Sequence, residues 1–246
     1  VANEKMNTGQ AVFGADLFPQ GQIRLSEQSV YNWGSFDGLH KALFDLDGTL
    51  VTGETGAGKS TLVDGWLALL LPAGKATFNV AAAQGDRSDR SLLSYMRGSF
   101  GSAHDGSSTR VKNKREKGVV TGLRSLYQGE DGSSVTLLAL FWTNSATNSL
   151  SDVKRMYVVA KRDLQLKEVL DAFGEGNVRQ LKQWLRDDPA ITDCDSNFSD
   201  YQELYRKHFC MDNKNAPALL SRALGLKKIT DLTKLIRELV LEPSGV

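Results

Sequence analysis

Apolar residues recur at helical spacing between Ser60 and Leu71, at Leu62, Val63, Trp66, Leu67, Leu69 and Leu70, and the run stops at Pro72 and Gly74. Proline cannot continue a helix ladder and glycine favours helix ends, so the pattern predicts a helix over 60–71. Ahead of it, Ile23 to Tyr31 and Ala42 to Leu46 read as strands separated by the turn-rich run from Asn32 to Gly38. Asp47 and Gly48 make a second tight turn, after which Thr49 to Thr52 is expected to form a short buried strand. Residues 98–118 are rich in glycine, serine and basic side chains and poor in apolar ones, which predicts a long mobile loop. Two strands, Val135 to Thr143 and Arg155 to Ala160, follow. Beyond Gly176 the period turns helical over Val178 to Arg186, Phe198 to Phe209, Ala216 to Leu224 and Ile229 to Leu241. The order predicts an α/β protein: a flexible terminus over 1–21, a mixed lobe over 22–175, and appended helices over 176–246.

Composition narrows the picture. The 30 basic and 29 acidic side chains nearly cancel, so attraction to a polyanion has to come from local patches. Only Cys194 and Cys210 occur, outside any CxxC pair, which argues against disulfide scaffolding and zinc ligation and fits a reducing cytoplasm. The longest apolar stretch, around Leu67 to Leu71, falls well short of the roughly 20 residues that span a bilayer. No signal-peptide pattern opens the sequence, and the expectation is a cytoplasmic protein without a membrane partner.

The chemistry sits just before the predicted helix. Gly53-Glu54-Thr55-Gly56-Ala57-Gly58-Lys59-Ser60 satisfies GxxxxGK[ST] at every fixed position, between a predicted strand and a predicted helix. Glycines let the main chain wrap its N–H groups around phosphate oxygens, and a helix N-terminus adds positive potential. In that arrangement Lys59 bridges the β- and γ-phosphates, the Ser60 hydroxyl ligates Mg²⁺, and Thr61 reaches the α-phosphate, with ATP as the expected nucleotide. A second motif overlaps the first: Asp45-Leu46-Asp47-Gly48-Thr49 fits the DxDGT of haloacid-dehalogenase-type phosphatases. Only Leu50 to Thr52 separate the two, too few for both sites to occupy their own strand-end crevices, so a plain turn is the simpler reading of Asp45 to Thr49.

Hydrolysis by a P-loop protein also requires an apolar strand ending in a metal-binding Asp, usually followed by Glu. No such run follows: Val135 to Thr143 leads into Asn144, Met156 to Ala160 into Lys161-Arg162, and Leu239 to Leu241 into Glu242-Pro243. An LSGG-like signature is missing as well. A P-loop without these parts is half of an active site. The sequence resembles the N-terminal head lobe of SMC-like ATPases, most closely the MukB-like or MksB-like class that includes the SMC subunit of Wadjet plasmid-defence systems. The resemblance rests on Asn32-Trp33-Gly34-Ser35-Phe36, the P-loop with Ser60 to Asp64, Asn79-Val80-Ala81-Ala82, Ser94-Tyr95-Met96-Arg97-Gly98, and Leu232 to Glu238 with Leu241-Glu242-Pro243, and it covers roughly residues 22–243. It implies an ABC/SMC-type head and a chain running on toward a coiled coil. Two heads would dimerise around two ATP molecules, with kleisin, winged-helix and nuclease partners acting on double-stranded DNA near the nucleoid. Asn32 and Trp33 match the place where related heads meet the adenine or ribose.

Weaker features carry two readings each. The Trp33 indole either stacks on a base or fills the core. Arg110, Lys112, Lys114, Arg115 and Lys117 either touch DNA phosphates or decorate a surface loop. Arg87, Arg90 and Arg97 reach a phosphate or form structural ion pairs. Gln84 and Gln128 are the glutamines available as a metal and water sensor. His40, His104 and His208 share no spacing. Two further functional classes stay open beside the SMC-like motor: a transporter or repair ATPase of the broader ABC class, and a scaffold that binds nucleotide without turnover.

Overall fold

The computed structural model describes residues 23–72, 91–105, 108–147 and 149–219. Expectations for 1–21, for the Asn79-Val80-Ala81-Ala82 run with Gln84, Arg87 and Arg90, and for the helices beyond 219 lie outside the described residues.

One six-stranded sheet organises the chain. Strands β1 (Ile23–Trp33), β2 (Phe36–Leu43), β5 (Val120–Gly129), β6 (Ser134–Trp142), β7 (Lys154–Ala160) and β8 (Ile191–Asp193) lie in the order β2-β1-β5-β6-β7-β8. Every pairing in it is antiparallel. A separate hairpin, β3 (Ser99–Asp105) with β4 (Ser108–Asn113), stands apart. Helices α1 (Lys59–Leu70), α2 (Leu92–Arg97) and α5 (Phe198–His208) cover one face of the large sheet, and α3 (Leu166–Phe173) and α4 (Val178–Arg186) the other.

Strand β6 shows why the sheet needs both layers. Its sequence is a nearly unbroken apolar run, so each face must be buried. Val135, Leu137, Ala139 and Phe141 join the core under α1, α2 and α5, with Leu69, Met96, Tyr201 and Tyr205. Leu138, Leu140 and Trp142 point the opposite way, toward Val169 and Phe173 of α3 and Leu181 and Leu185 of α4. Within residues 176–219, β8 extends the sheet, and α4 and α5 close its two sides.

Strand β5 was not expected, and its composition explains the omission. Thr121, Arg124 and Ser125 interrupt the apolar pattern, yet all three are fully buried. Arg124 bonds the Glu27 carboxylate across the β1–β5 pair, reaches Asp163, and donates through Nε to the Leu164 carbonyl at 2.7 Å. Lys41 adds a second cation to Glu27 at 2.9 Å. Charge pairing inside the protein thus stands where apolar packing would otherwise be read.

Three other expectations are corrected. The first hairpin turns at Gly34 and Ser35, with Trp33 opposite Phe36, so β2 occupies 36–43 and the strand expected over 42–46 starts earlier and ends at Leu43. Gly34, at φ +54°, supplies the positive dihedral a two-residue hairpin loop demands. Residues 49–52 form no strand; Leu50 is 87% exposed. Residues 98–118 hold the β3–β4 hairpin in place of a loop. Helix α3 was likewise unanticipated, though Leu166, Val169, Leu170 and Phe173 have helical spacing. Among the described residues no helix is long and apolar enough to cross a membrane.

Replacing Arg124 with Met leaves the Glu27 carboxylate buried with a single cation and should lower unfolding free energy by about 3 kcal/mol. Removing both charges, in R124M/E27L, should recover most of that loss in urea denaturation.

Candidate nucleotide-binding site

The segment that leads into the glycine loop crosses the length of the sheet. At one end the Leu46 carbonyl accepts from Arg24 near the start of β1, and at the other Gly58 lies against Ser35 and Phe36 beyond the end of β1. Asp45 to Thr49 is a turn: the Asp45 carboxylate accepts from the Asp47 amide at 2.9 Å, and Thr49 Oγ1 from the Asp45 amide at 2.7 Å. Both aspartates lie on the exposed surface. A nucleophile and general acid facing one crevice is not what this geometry presents.

Gly53, Gly56 and Gly58 have φ of +153°, +89° and +93°. At Gly58 the need for glycine is double, because a Cβ there would stand 2.8 Å from the Phe36 ring. The Ala57 amide donates to the Glu54 carbonyl at 3.2 Å and closes the turn. Lys59 Nζ donates to the carbonyls of Gly53 and Glu54 at 2.6 and 2.8 Å. An ammonium has three donors, so one is left for a phosphate oxygen while the other two tie the side chain to the first two loop residues.

Helix α1 begins at Gly58 with no side-chain cap and no acid in its first turn, which leaves its first N–H groups and their positive potential to an anion. Ser60, on this first turn, is exposed. Thr55, Gly56 and Ala57 are exposed as well, so the mouth of the loop is open.

What fixes the loop is the grip of β1 on the helix behind it. Trp33 Nε1 donates to the Thr61 carbonyl at 2.8 Å, and Gln28 Nε2 to the Leu62 carbonyl at 2.7 Å. Gly65 allows this approach: a Cβ there would meet Trp33 Nε1 at 3.1 Å and Gln28 Nε2 at 3.2 Å. Trp33 stacks on Tyr95 with ring centroids 4.6 Å apart, and the Tyr95 hydroxyl bonds the buried Asp64 carboxylate of α1. The Gly34 amide donates to the Tyr95 carbonyl at 2.7 Å, joining the hairpin turn to α2.

These contacts correct the expectation for Trp33 and Asn32. Trp33 is fully buried, one ring face is covered by Tyr95, and its N–H is spent on the helix, so it offers no surface to a base. Asn32, at φ +50°, donates to the Val120 carbonyl at 3.1 Å and accepts from the Gly38 amide at 3.0 Å, which makes it the pin of the hairpin. Gln28, Asp64, Gly65 and Tyr95 were not singled out for a role, and their signal was faint. A glycine and an aspartate inside an apolar helix mark a close approach and a buried partner.

The basic cluster is also redistributed. Arg115 bonds Asp37 and donates to the carbonyls of Met96 and Gly34 at 2.8 Å each, and Lys114 donates to the Ser35 carbonyl at 3.0 Å. Burial pulls the Arg115 guanidinium below its ordinary pKa, against the opposing pull of Asp37. Both side chains hold the β1–β2 turn, Arg115 half-buried and Lys114 exposed. Lys112 and Lys117 are exposed, and Arg110 stands on β4. Gln128 lies opposite Arg24, at the end of the sheet far from Trp33, and is out of reach as a sensor. The acids that follow β5, Glu130 and Asp131, are at that far end too; Glu130 pairs with Arg24 and Asp131 accepts from the Ser133 amide. Among the described residues no group of three or more His, Cys, Asp or Glu is placed to hold a metal ion.

The family model for the P-loop containing region of AAA domain matches residues 25–85, spanning β1, the glycine loop and α1. The match supports a P-loop NTPase fold and suggests nucleotide binding at the glycine loop. No curated protein matches the chain. The P-loop here differs from the expected strand-loop-helix in one respect: the segment before it belongs to no strand among the described residues.

Gly58→Ala should weaken nucleotide binding at least about tenfold, since it forces both a strained φ and a clash with Phe36. Titration calorimetry checks the affinity, and an unchanged circular dichroism spectrum shows that the lobe still folds.

Proposed function

We propose that this chain is the ATP-binding lobe of a split, SMC-like ATPase head, in which the metal-binding acid and the signature motif arrive on another segment. The observation that carries the reading is a formed P-loop beside an unpaired, apolar flank. Of the seven large apolar side chains that stand exposed among the described residues, five lie between Leu39 and Val51: Leu39, Leu43, Leu46, Leu50 and Val51. They follow edge strand β2 and the segment leading to the loop. Exposed apolar residues gathered at a sheet edge mark where a further strand packs.

The chemistry divides in the same way. The loop amides and the free donor of Lys59 hold the β- and γ-phosphates, and the Ser60 hydroxyl offers one oxygen to Mg²⁺. Bound MgATP supplies the transferable phosphoryl group and neutralises part of its charge. Mg²⁺ requires further oxygen ligands in an octahedral arrangement, and a carboxylate beside Ser60 has to come from the segment that covers Leu50 and Val51. The resemblance extends the reading to a second head closing over the nucleotide, with kleisin, winged-helix and nuclease partners and double-stranded DNA as the substrate of motion.

Lys59→Ala should lower affinity for a non-hydrolysable ATP analogue by about tenfold or more, the loss of one charge-assisted bond. The lobe alone should turn over ATP negligibly, and adding the complementary half should restore hydrolysis. Full activity of the isolated lobe defeats the split-site reading. Unaltered binding by the Lys59 variant defeats the nucleotide site itself.

A further inference from the structure

The β3–β4 hairpin stands apart from the large sheet, yet both of its ends are fastened at one point. The Lys114 amide donates to the Gly98 carbonyl at 3.3 Å and the Arg115 amide to the Arg97 carbonyl at 3.0 Å, so the chain leaves α2 and comes back to the same place. Gly98, at φ +62°, permits the closeness: a Cβ there would stand 2.7 Å from the Gly34 carbonyl oxygen and 2.8 Å from Arg115 Nη2.

The Arg115 guanidinium closes this junction. Its Nε donates to the Met96 carbonyl at 2.8 Å, and Nη2 donates to the carbonyls of Gly34 at 2.8 Å and Tyr95 at 3.4 Å. Nη1 donates to the Phe36 carbonyl at 3.5 Å and to the Asp37 carboxylate. The last carbonyls of a helix have no partner along the axis and carry negative potential, so the end of α2 holds the cation as Asp37 does. A planar fork of donors can join two separate backbone segments at once, which the point charge of a lysine cannot.

One of those segments, the β1–β2 turn, lies directly behind the anion cradle. A Cβ at Gly34 would come within 2.6 Å of Thr61 Cγ2, and a Cβ at Gly58 would meet the Phe36 ring at 2.8 Å. The turn held by Arg115 therefore touches α1 at its N-cap and in its first turn, where amides are presented to phosphate. The Trp33 and Gln28 bonds reach Thr61 and Leu62, whereas the atoms nearest the Gly58 end belong to Phe36 and Ser35.

We propose that Arg115 is a positioning residue for the nucleotide site, acting through Phe36 on Gly58, and that it couples nucleotide affinity to the seating of the β3–β4 hairpin on α2. The inference rests on the P-loop being the nucleotide site. Arg115 acts without touching phosphate, because its donors are spent on the turn, on α2 and on Asp37. Coupling is reciprocal, so an occupied cradle also tightens the base of the hairpin.

Arg115→Ala should weaken binding of a fluorescent non-hydrolysable ATP analogue about tenfold, with an unchanged circular dichroism spectrum, and Arg115→Lys should leave most of that loss in place. Free guanidinium ion at low millimolar concentration should restore affinity to the alanine variant, and methylammonium at the same concentration should not. In a double-mutant cycle the losses from Arg115→Ala and Phe36→Ala should be less than additive. Saturating analogue should slow hydrogen exchange at the Lys114 and Arg115 amides of the unmodified chain and leave those amides unaffected in Phe36→Ala, a measurement that stands even where Arg115→Ala fails to fold. Additive losses overturn the proposal, as does exchange that ignores nucleotide in the unmodified chain. Undiminished affinity in the Arg115 variants, with binding lost in Lys59→Ala, defeats this inference alone. Undiminished binding in Lys59→Ala defeats the nucleotide site and the inference with it.

Discussion

The structure hangs on the bond from the Trp33 indole to the Thr61 carbonyl, with the Gln28 bond to Leu62 beside it. A phosphate loop works only if its amides are aimed before the anion arrives, and a loop of three glycines at positive φ has no stiffness of its own. Rigidity has to be borrowed from behind. Strand β1 lends it through two side-chain donors on the first turn of α1, and Gly65 lets the two elements close to that distance. Tyr95 and Asp64 then tie the same helix to α2. A tryptophan that resembles a base-stacking residue in sequence is in fact the fastening of the site.

That exchange of roles illustrates how far the sequence could be read. The glycine loop, α1, β6, β7, α4 and α5 were legible because their apolar periodicity or glycine spacing has a local cause. Trp33 was not, since the same aromatic ring serves either a pocket or a core, and only the position of Tyr95 and Thr61 decides between them. Strand β5 escaped notice because Arg124 reads as a surface residue until Glu27 and Asp163 are brought beside it. The strand expected over Thr49 to Thr52 has the composition of a buried strand, yet Leu50 and Val51 lie exposed and pair with no strand among the described residues. In each failure the missing information was the identity of a distant partner.

The two faces of the sheet divide the work. The face under α1, α2 and α5 carries the aromatic core of Trp33, Tyr157, Tyr201 and Tyr205 and supports the phosphate loop. The face under α3 and α4 is closed by aliphatic side chains with the Trp142–Phe173 pair, and by the Arg124 ion cluster.

Most of the sheet is built from neighbours in the chain. β1 with β2, β5 with β6, and β6 with β7 pair as successive antiparallel strands, and only the β1–β5 seam and the short β8 edge join distant stretches. Parallel sheets need long crossovers before any pairing is gained, whereas hairpins form from whatever has already left the ribosome. A lobe assembled this way can gain most of its strand pairing during synthesis, and the long-range β1–β5 seam then brings the grip of β1 on α1 into place behind the glycine loop.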